Sequence, residues 1–196
     1  MTTASEQLPP PQPANETQLI HAVGIWSIKN FDTRRAADFG IIEEIGEATH
    51  CVLKRIQGIR GFINEEYFLT QLGDALADII IYLCDWCHGH NAFFKFGRNM
   101  IIQSQPLTID DQRRIIRHLL QAADIIVSIS DREPEGMFSV VDESQFNMVA
   151  QRMCSGVELW AQVYKLDLRL LVANTWLKIS QRDWKKNPSG PEAHLK

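Results

Sequence analysis

The sequence predicts an all-α fold, a helical bundle of about six helices. Apolar residues recur at helical spacing in several long segments, and no segment of useful length shows the alternation of a half-buried strand. Capping and turn residues separate these segments. With 196 residues, of which 45% are hydrophobic, the chain is long enough for one domain with a sizeable core.

Composition and charge exclude several classes of function. The chain has 20 Lys+Arg and 24 Asp+Glu, so it lacks the basic excess of a general nucleic-acid binder. We expect no membrane association, because no uninterrupted apolar run approaches the ~20 residues of a span and the N-terminus does not resemble a signal peptide. We therefore predict a cytoplasmic protein with reduced thiols at Cys51, Cys84, Cys87 and Cys154.

The N-terminal part divides into a leader and a first helix. Residues 1–15 are polar and proline-rich, which predicts a disordered leader before a single domain over residues 16–184. A helical period begins at Glu16 and ends before Phe31, after which Asp32 or Thr33 can cap the next helix. The first apolar stripe is Leu19, Ile20, Val23 and Trp26.

The second helix is predicted from about Arg34 to Gln57, where the Gly58–Gly61 break follows. Its apolar residues form one continuous stripe, Ile41, Ile45, Ala48, Val52 and Ile56. Polar and charged residues lie along one flank of that stripe, namely Glu44, Glu47, Cys51 and Lys54. We expect these carboxylates at the edge of the core, where a pocket can open.

The third helix is predicted over about Glu65–His88 and is apolar around most of its circumference, with Leu76, Ile79, Ile80, Leu83, Trp86 and Cys87. Asp74, Asp78 and Asp85 form a single stripe through this surface. Carboxylates among core-forming residues cost free energy unless a metal or a cationic partner compensates them. The second and third helices are therefore the segments on which we base a functional hypothesis.

The remaining segments are predicted from periodicity, caps and turns. In chain order they are a helix break at His88–Asn91, a short helix over Phe93–Ile102, a helix from the Thr108–Asp111 capping box to about Ser130, a turn at Asp131–Gly136, a helix to about Tyr164, a last helix from the Asp167 cap to about Trp184, and a flexible tail over residues 185–196.

Glutamates at i and i+3 on one helix, facing aspartates on another, supply the hard oxygen ligands that Mg²⁺ prefers. Bound Mg²⁺ commonly bridges to substrate phosphates. Lys54 lies two turns after Glu47 on the same flank, where it can contact phosphates. The spacing alone leaves an alternative open, in which the acids form salt bridges on a solvated face with Arg34, Arg35, Lys54 or Arg55.

Glu44-Ile-Gly-Glu47, followed after 27 residues by Ala75-Leu-Ala-Asp78, resembles the E-x-x-E and E-x-x-D signature of the MazG-like, all-α NTP pyrophosphatases, which include dCTP pyrophosphatases and all-α dUTPases. The resemblance extends over about residues 20–90 and 160–184. It includes Trp26 and Phe31 upstream of the motif, and near the C-terminus Lys165-Leu-Asp167-Leu and Lys178-Ile-Ser180-Gln-Arg182.

The resemblance implies hydrolysis of a nucleoside triphosphate to the monophosphate and pyrophosphate, in the manner of enzymes that remove modified nucleotides. It implies Mg²⁺, with Mn²⁺ as an alternative, and a homodimer or homotetramer. It assigns the metal to Glu44, Glu47 and Asp78, and we add Asp74, on the same helix as Asp78, as a candidate ligand in place of the missing carboxylate. In this hypothesis Glu43 activates the attacking water. The predicted catalytic residues are Glu43, Glu44 and Glu47. It assigns phosphate binding to Lys54, Lys178 and Arg182.

Two departures from the family pattern qualify this hypothesis. Ala75 stands where the second motif has Glu, and on a helix Asp74 points about 100° away from position 75. Residues 93–160 are an addition, either an inserted helical pair or a degenerate repeat of a helix–cap–helix unit. The alternative function is a catalytically degenerate nucleotide-binding or structural oligomeric module of the same fold.

Cys84-Asp-Trp-Cys87-His88 matches the attachment pattern of a c-type haem, and with His90 it forms a Cys/His cluster that suggests zinc. The segment lies at the end of a buried helix, and four ligands crowded there give poor tetrahedral geometry. We interpret these residues as core cysteines and helix-terminal histidines.

Overall fold

The structure is a computed structural model that describes residues 12–31, 36–97, 108–132 and 143–186. These residues form six α-helices and no strand, which confirms the predicted fold class. The helices are α1 (Glu16–Asn30), α2 (Ala36–Gln57), α3 (Glu65–His90), α4 (Ile109–Arg132), α5 (Glu143–Val163) and α6 (Leu168–Ile179).

Helix α3 lies at the centre of the fold, because it packs against α1, α2, α5 and α6. Helix α4 packs against α2 and α5. The apolar surface of α3 is accordingly fully buried at Leu72, Leu76, Ile79, Ile80 and Leu83. Among the described helices, α3 is the one that is long and apolar enough to span a membrane by length and composition, and 61% of that stretch is buried inside the fold.

Side-chain caps fix the starts of several helices. The Asn15 side chain accepts a hydrogen bond from the backbone N–H of Gln18 at 3.0 Å. Thr108 and Asp111 form the predicted capping box, with the Asp111 N–H donating to Thr108 Oγ1 at 3.2 Å. The predicted cap at Asp167 is confirmed, since its side chain accepts from Leu170 N–H at 3.0 Å.

The predicted short helix over Phe93–Ile102 is wrong for the residues that the structure describes. Phe93–Gly97 is not helical, and its backbone N–H groups are bonded by side chains instead. Asn147 and Gln151 of α5 accept from Phe93 and Lys95 at 2.7 and 3.0 Å, and Glu158 accepts from Gly97 at 2.6 Å. Because α5 satisfies these donors, the segment needs no helical hydrogen bonds of its own.

Two further predictions need correction. Ile56 is 53% exposed, because the 15 residues from Ile41 turn its side chain about 60° from that position around the helix. The last helix ends at Ile179 instead of about Trp184, and residues 180–186 form turns. The predictions for residues 1–11, Asp32, Thr33, residues 98–102 and residues 187–196 lie outside the described residues.

Helices α2 and α3 approach closely at Gly40. A Cβ atom added at Gly40 would come within 2.4 Å of the Tyr82 ring on α3. No such contact exists at Gly46 on the same helix, where an added Cβ meets nothing within 4 Å. Glycine at position 40 therefore permits the close helix contact, one turn before Glu44.

We predict opposite effects of alanine at these two glycines. Gly40→Ala should destabilise the protein by about 1–3 kcal/mol, because the new methyl group displaces the Tyr82 ring from a packed position. Gly46→Ala should stabilise it by about 0.5–1 kcal/mol through helix propensity. Urea unfolding followed by circular dichroism measures both free energies. Equal effects at the two positions would contradict the close contact.

Candidate functional site

The carboxylates predicted for the site meet along the contact between α2 and α3. The pKa of Glu44 is raised from its ordinary 4.5 to about 8, first by burial and then by the charges of Asp78, Glu47 and Glu43. Burial and the charge of Asp74 raise the pKa of Asp78 from 3.8 to about 6. The charge of Asp78 contributes to the shift of Glu44, and that of Glu47 to the shift of Asp78, so carboxylates of two helices lie within electrostatic range of one another.

Asp74 supplies the carboxylate next to Asp78 on α3. The family resemblance expects Glu at position 75, but Ala75 is 2% exposed and belongs to the hydrophobic core. Asp74 is partly buried, and among neighbouring charges it has the largest effect on the pKa of Asp78. The i, i+4 pair of Asp74 and Asp78 thus occupies the place of the expected i, i+3 pair.

Two cations from the C-terminal part face this cluster. The charges of Arg182 and Lys178 lower the pKa of Asp78, against the larger effects of burial and Asp74. The turn that carries Arg182 is held on α1, where Trp26 Nε1–H donates to the Arg182 carbonyl at 3.2 Å. The Trp184 N–H donates to Asn30 Oδ1 at 2.8 Å. The structure therefore places both predicted phosphate-binding residues of this region near Asp78.

Lys54 contacts a different part of α2. Its Nζ donates to Gln57 Oε1 at 3.3 Å, and its charge is not among the causes that shift the pKa of Glu44 or Asp78. The structure thus brings Lys178 and Arg182 to the carboxylates and leaves Lys54 toward the end of α2.

The acidic stripe of α3 continues beyond Asp78. The pKa of Tyr82 is raised by burial and then by the charge of Glu44. One turn further, the buried Ser27 of α1 donates its hydroxyl to Asp85 Oδ2 at 2.7 Å. This hydrogen bond gives Asp85 a structural partner, so the candidate site centres on Glu44 and Asp78.

A cleft of about 600 Å³ opens beside the carboxylates, between α2, the 58–64 loop and the start of α3. Its lining residues are Glu43, Gly46, Glu47, His50, Cys51, Arg60, Phe62, Tyr67 and Gln71. The Phe62 and Tyr67 rings pack edge to face with centroids 5.1 Å apart. Arg55 donates to the Phe62 carbonyl at 2.9 Å and so ties the loop to α2. The cleft combines aromatic surface with carboxylates at one end.

The sequence analysis missed the cleft residues outside the acidic motif. Tyr67 and Gln71 precede Asp74 and Asp78 on α3 at helical spacing, so a longer stripe would have included both. His50 follows Glu47 by one turn on α2. No sequence signal identifies Phe62, because its position depends on how the loop folds back onto the helices.

The carboxylates suit a hard divalent cation by chemistry. Their side chains offer only oxygen donors, and a cation would offset the mutual repulsion that raises the pKa of Glu44. Within the described part of the chain, no three His, Cys, Asp or Glu side chains are arranged to hold a metal ion as they stand. Side-chain rotation is therefore needed before Glu44, Glu47, Asp74 and Asp78 can share one.

The cysteines of α3 lie in the hydrophobic core. Cys84 and Cys87 are fully buried, and burial raises the pKa of both thiols well above its ordinary value. The His90 ring stacks on Trp86 with centroids 4.4 Å apart, and its Nδ1 lies 2.9 Å from the Trp86 carbonyl oxygen. These contacts support the interpretation as core thiols and a helix-terminal histidine.

We predict that the stability of the metal-free protein falls as the pH rises from about 4.5 to about 8. The pKa of Glu44 is raised in the folded state, so in this range the folded protein keeps a proton that the unfolded chain has lost. The raised pKa of Asp78 lowers stability in the same way as the pH rises from about 3.8 to about 6. Thermal unfolding in EDTA across this pH range measures the slope.

Glu44→Gln should remove most of this pH dependence and raise the melting temperature at pH 8, because the amide cannot ionise. Glu66→Gln, at an exposed position in the first turn of α3, is the matched control and should keep the slope of the wild-type protein. An unchanged slope in Glu44→Gln would show that Glu44 is not held among like charges.

Comparisons of the chain with protein-family models, with curated proteins and with solved structures find no match.

Proposed function

We propose that the protein is a Mg²⁺-dependent nucleoside triphosphate pyrophosphohydrolase that converts an NTP or dNTP and water to the monophosphate and pyrophosphate. The observation that carries the proposal is the electrostatic proximity of Glu44 and Glu47 of α2 to Asp78 of α3, which Lys178 and Arg182 also influence. Partly buried carboxylates of like charge with cations nearby are typical of sites that handle metal-bound phosphates.

The carboxylates have distinct roles in this proposal. Glu44, Glu47, Asp74 and Asp78 are the oxygen donors for the cation. Bound Mg²⁺ neutralises phosphate charge and makes a coordinated water a better nucleophile. Glu43 lies in the cleft wall with Glu47, and there it can orient the attacking water and accept its proton.

The cations orient the substrate. Lys178 of α6 and Arg182 of the turn after it lie close enough to Asp78 for their charges to lower its pKa. A guanidinium and an ammonium at that position bind the negative oxygens of the departing pyrophosphate. Lys54 can reach phosphates only by leaving its contact with Gln57.

The cleft provides room for the nucleoside. Its lining includes the proposed metal ligand Glu47 together with Phe62 and Tyr67, so aromatic and acidic groups share one cleft. The Tyr67 and Phe62 rings offer a surface for base stacking, and His50 adds a polar group. The position of the cleft supports nucleotide binding with the triphosphate toward Asp78.

The resemblance to MazG-like, all-α NTP pyrophosphatases supports the same reaction class. The proposal includes the assembly and location expected from that resemblance, a homodimer or homotetramer in the cytoplasm. The proposal also includes the removal of modified nucleotides as the physiological role, because no sequence motif indicates a preference for one base.

A second candidate function is a nucleotide-binding or structural module without catalysis. Ala75 favours it, because the expected second glutamate is absent and the position is buried. Calorimetry with a nonhydrolysable dNTP analogue and Mg²⁺ separates the candidates. Binding together with pyrophosphate release supports the enzyme, binding without release supports a degenerate binder, and no binding supports a structural role.

We predict that Glu47→Gln lowers the rate of pyrophosphate release from dNTPs by roughly 100-fold or more, since loss of a metal ligand removes several kcal/mol of transition-state stabilisation. Glu66→Gln should retain the wild-type rate. A coupled pyrophosphate assay over a panel of standard and modified dNTPs measures both. Absence of release by the wild-type protein across the panel, or full activity in Glu47→Gln, would refute the enzymatic proposal.

We predict that Tyr67→Ala raises KM at least severalfold and changes kcat little, because the ring contacts the nucleoside and not the reacting phosphorus. Ile63→Ala is the matched control, since Ile63 lies in the loop just before α3, is 70% exposed and does not line the cleft. Steady-state kinetics distinguishes the two parameters. Equal KM values in both variants would mean that the nucleoside binds elsewhere.

A further inference from the structure

Helices α4 and α5 repeat the sequence register of α2 and α3 at a constant shift of 74 residues. The identities at this shift, which continue from the first helix of the pair into the second without insertion, are Ile41 and Ile115, Ile42 and Ile116, Ala48 and Ala122, Gln71 and Gln145, and Trp86 and Trp160. A single shift therefore relates both helices of the first pair to both helices of the second.

Burial follows the same register. At this shift, many buried residues of α2 and α3 match buried residues of α4 and α5. Pairs of this kind are Ile41 and Ile115, Ile45 and Leu119, Ala48 and Ala122, Val52 and Ile126, Leu72 and Phe146, Leu76 and Ala150, Ile79 and Met153, Leu83 and Val157, and Trp86 and Trp160. The two hairpins therefore present equivalent faces to the core.

The ends of α3 and α5 share one backbone geometry. Asn91 and Lys165, which the shift equates, have φ angles of 52° and 56° in the left-handed region. Each end has the same hydrogen bond to a carbonyl five residues back, at 2.9 Å, from Ala92 to Cys87 and from Leu166 to Ala161. Equivalent residues thus end both helices with the same cap.

The packing of the four helices is compatible with a two-fold relation. The contacts are α2 with α3, α4 with α5, α2 with α4, and α3 with α5, and exchanging the two hairpins leaves this set unchanged. Ring contacts join the end of each long helix to the start of the other, at 6.1 Å for Trp86 and Phe146 and 5.1 Å for Tyr164 and Phe68.

The shift also identifies counterparts of the candidate metal-binding residues. Glu44, Glu47, Asp74 and Asp78 correspond to His118, Gln121, Met148 and Arg152. Arg152 Nη2 donates to Gln121 Oε1 at 2.8 Å, so two of these counterparts face one another across α4 and α5. The second hairpin therefore keeps the packing of the first and lacks a carboxylate at each of the four positions.

We infer that α4–α5 is an internal repeat of α2–α3 whose divalent-cation site has been replaced by a neutral and cationic cluster, so that each chain binds one divalent cation. The number of cations rests on the proposed function of the first hairpin, whereas the repeat itself rests on register, burial, caps and packing. Restoring carboxylates at the four counterpart positions should create a second cation site.

Mn²⁺ binding to the full chain, followed by electron paramagnetic resonance of free Mn²⁺, tests the number of sites. The wild-type protein should bind one Mn²⁺ per chain, and the combined variant His118→Glu, Gln121→Glu, Met148→Asp and Arg152→Asp should bind two. Adding Glu47→Gln to that variant should return the number to one. Two ions in the wild-type protein, or one ion in a folded combined variant, would overturn the inference. No ion in the wild-type protein would contradict the proposed function, and an ion gained by the combined variant would still support the repeat.

Distances between spin labels test the repeat without any metal. A two-fold relation requires that the distance from position 39 to position 124 equal the distance from position 113 to position 50. The double variants Phe39→Cys with Asp124→Cys and Arg113→Cys with His50→Cys place labels at exposed positions, while the native cysteines are buried. Matching distances support the repeat, and clearly different distances overturn it even where the combined variant does not fold.

Discussion

The arrangement of this protein depends on the electrostatic cost of holding Glu44 and Asp78 together in a partly desolvated place. Burial disfavours the charged form of each carboxylate, and their mutual repulsion adds to that cost. The surrounding helices offset it in different ways. Helix α6 and its following turn contribute Lys178 and Arg182, and α1 contributes a hydroxyl to the next aspartate along the stripe. A divalent cation would complete the same compensation.

The close approach of α2 and α3 brings Glu44 and Asp78 near one another. Gly40 lets the Tyr82 ring lie directly against α2, and Glu44 follows one turn later on the same flank. A wider separation would admit water between the helices and would lower the cost of ionising both carboxylates. A feature of backbone packing thus determines the chemistry of the side chains beside it.

Local signals predicted most of the fold, because helix periodicity and caps are encoded within a few residues. The start of α1 at Glu16, the caps at Thr108 and Asp167 and the buried stripe of α3 belong to this class. The 93–97 segment was predicted wrongly because its hydrogen bonds are made by α5, more than 50 residues away. The cleft was missed for a similar reason, since Phe62 reaches it only through the folding of a loop.

The candidate site was predictable in part. The acidic spacing on α2 and the stripe on α3 identified the carboxylates, but the choice between Lys54 and Lys178 required knowledge of which helix packs against α3. Position 75 illustrates the same limit of sequence analysis. The family motif has Glu at this position, whereas the fold buries the small residue Ala75 there. The sequence shows which charged side chains are available, and tertiary packing determines which of them lie close together.

The separation of the cluster along the chain has a consequence for biosynthesis. Glu44 and Asp78 leave the ribosome about 100 residues before Lys178 and Arg182, and translation proceeds at ~5–20 residues per second. During those seconds the α2–α3 hairpin exists without the cations that later face it. Until its final segment docks, a nascent chain therefore lacks the cations that partly offset the charge repulsion at Asp78.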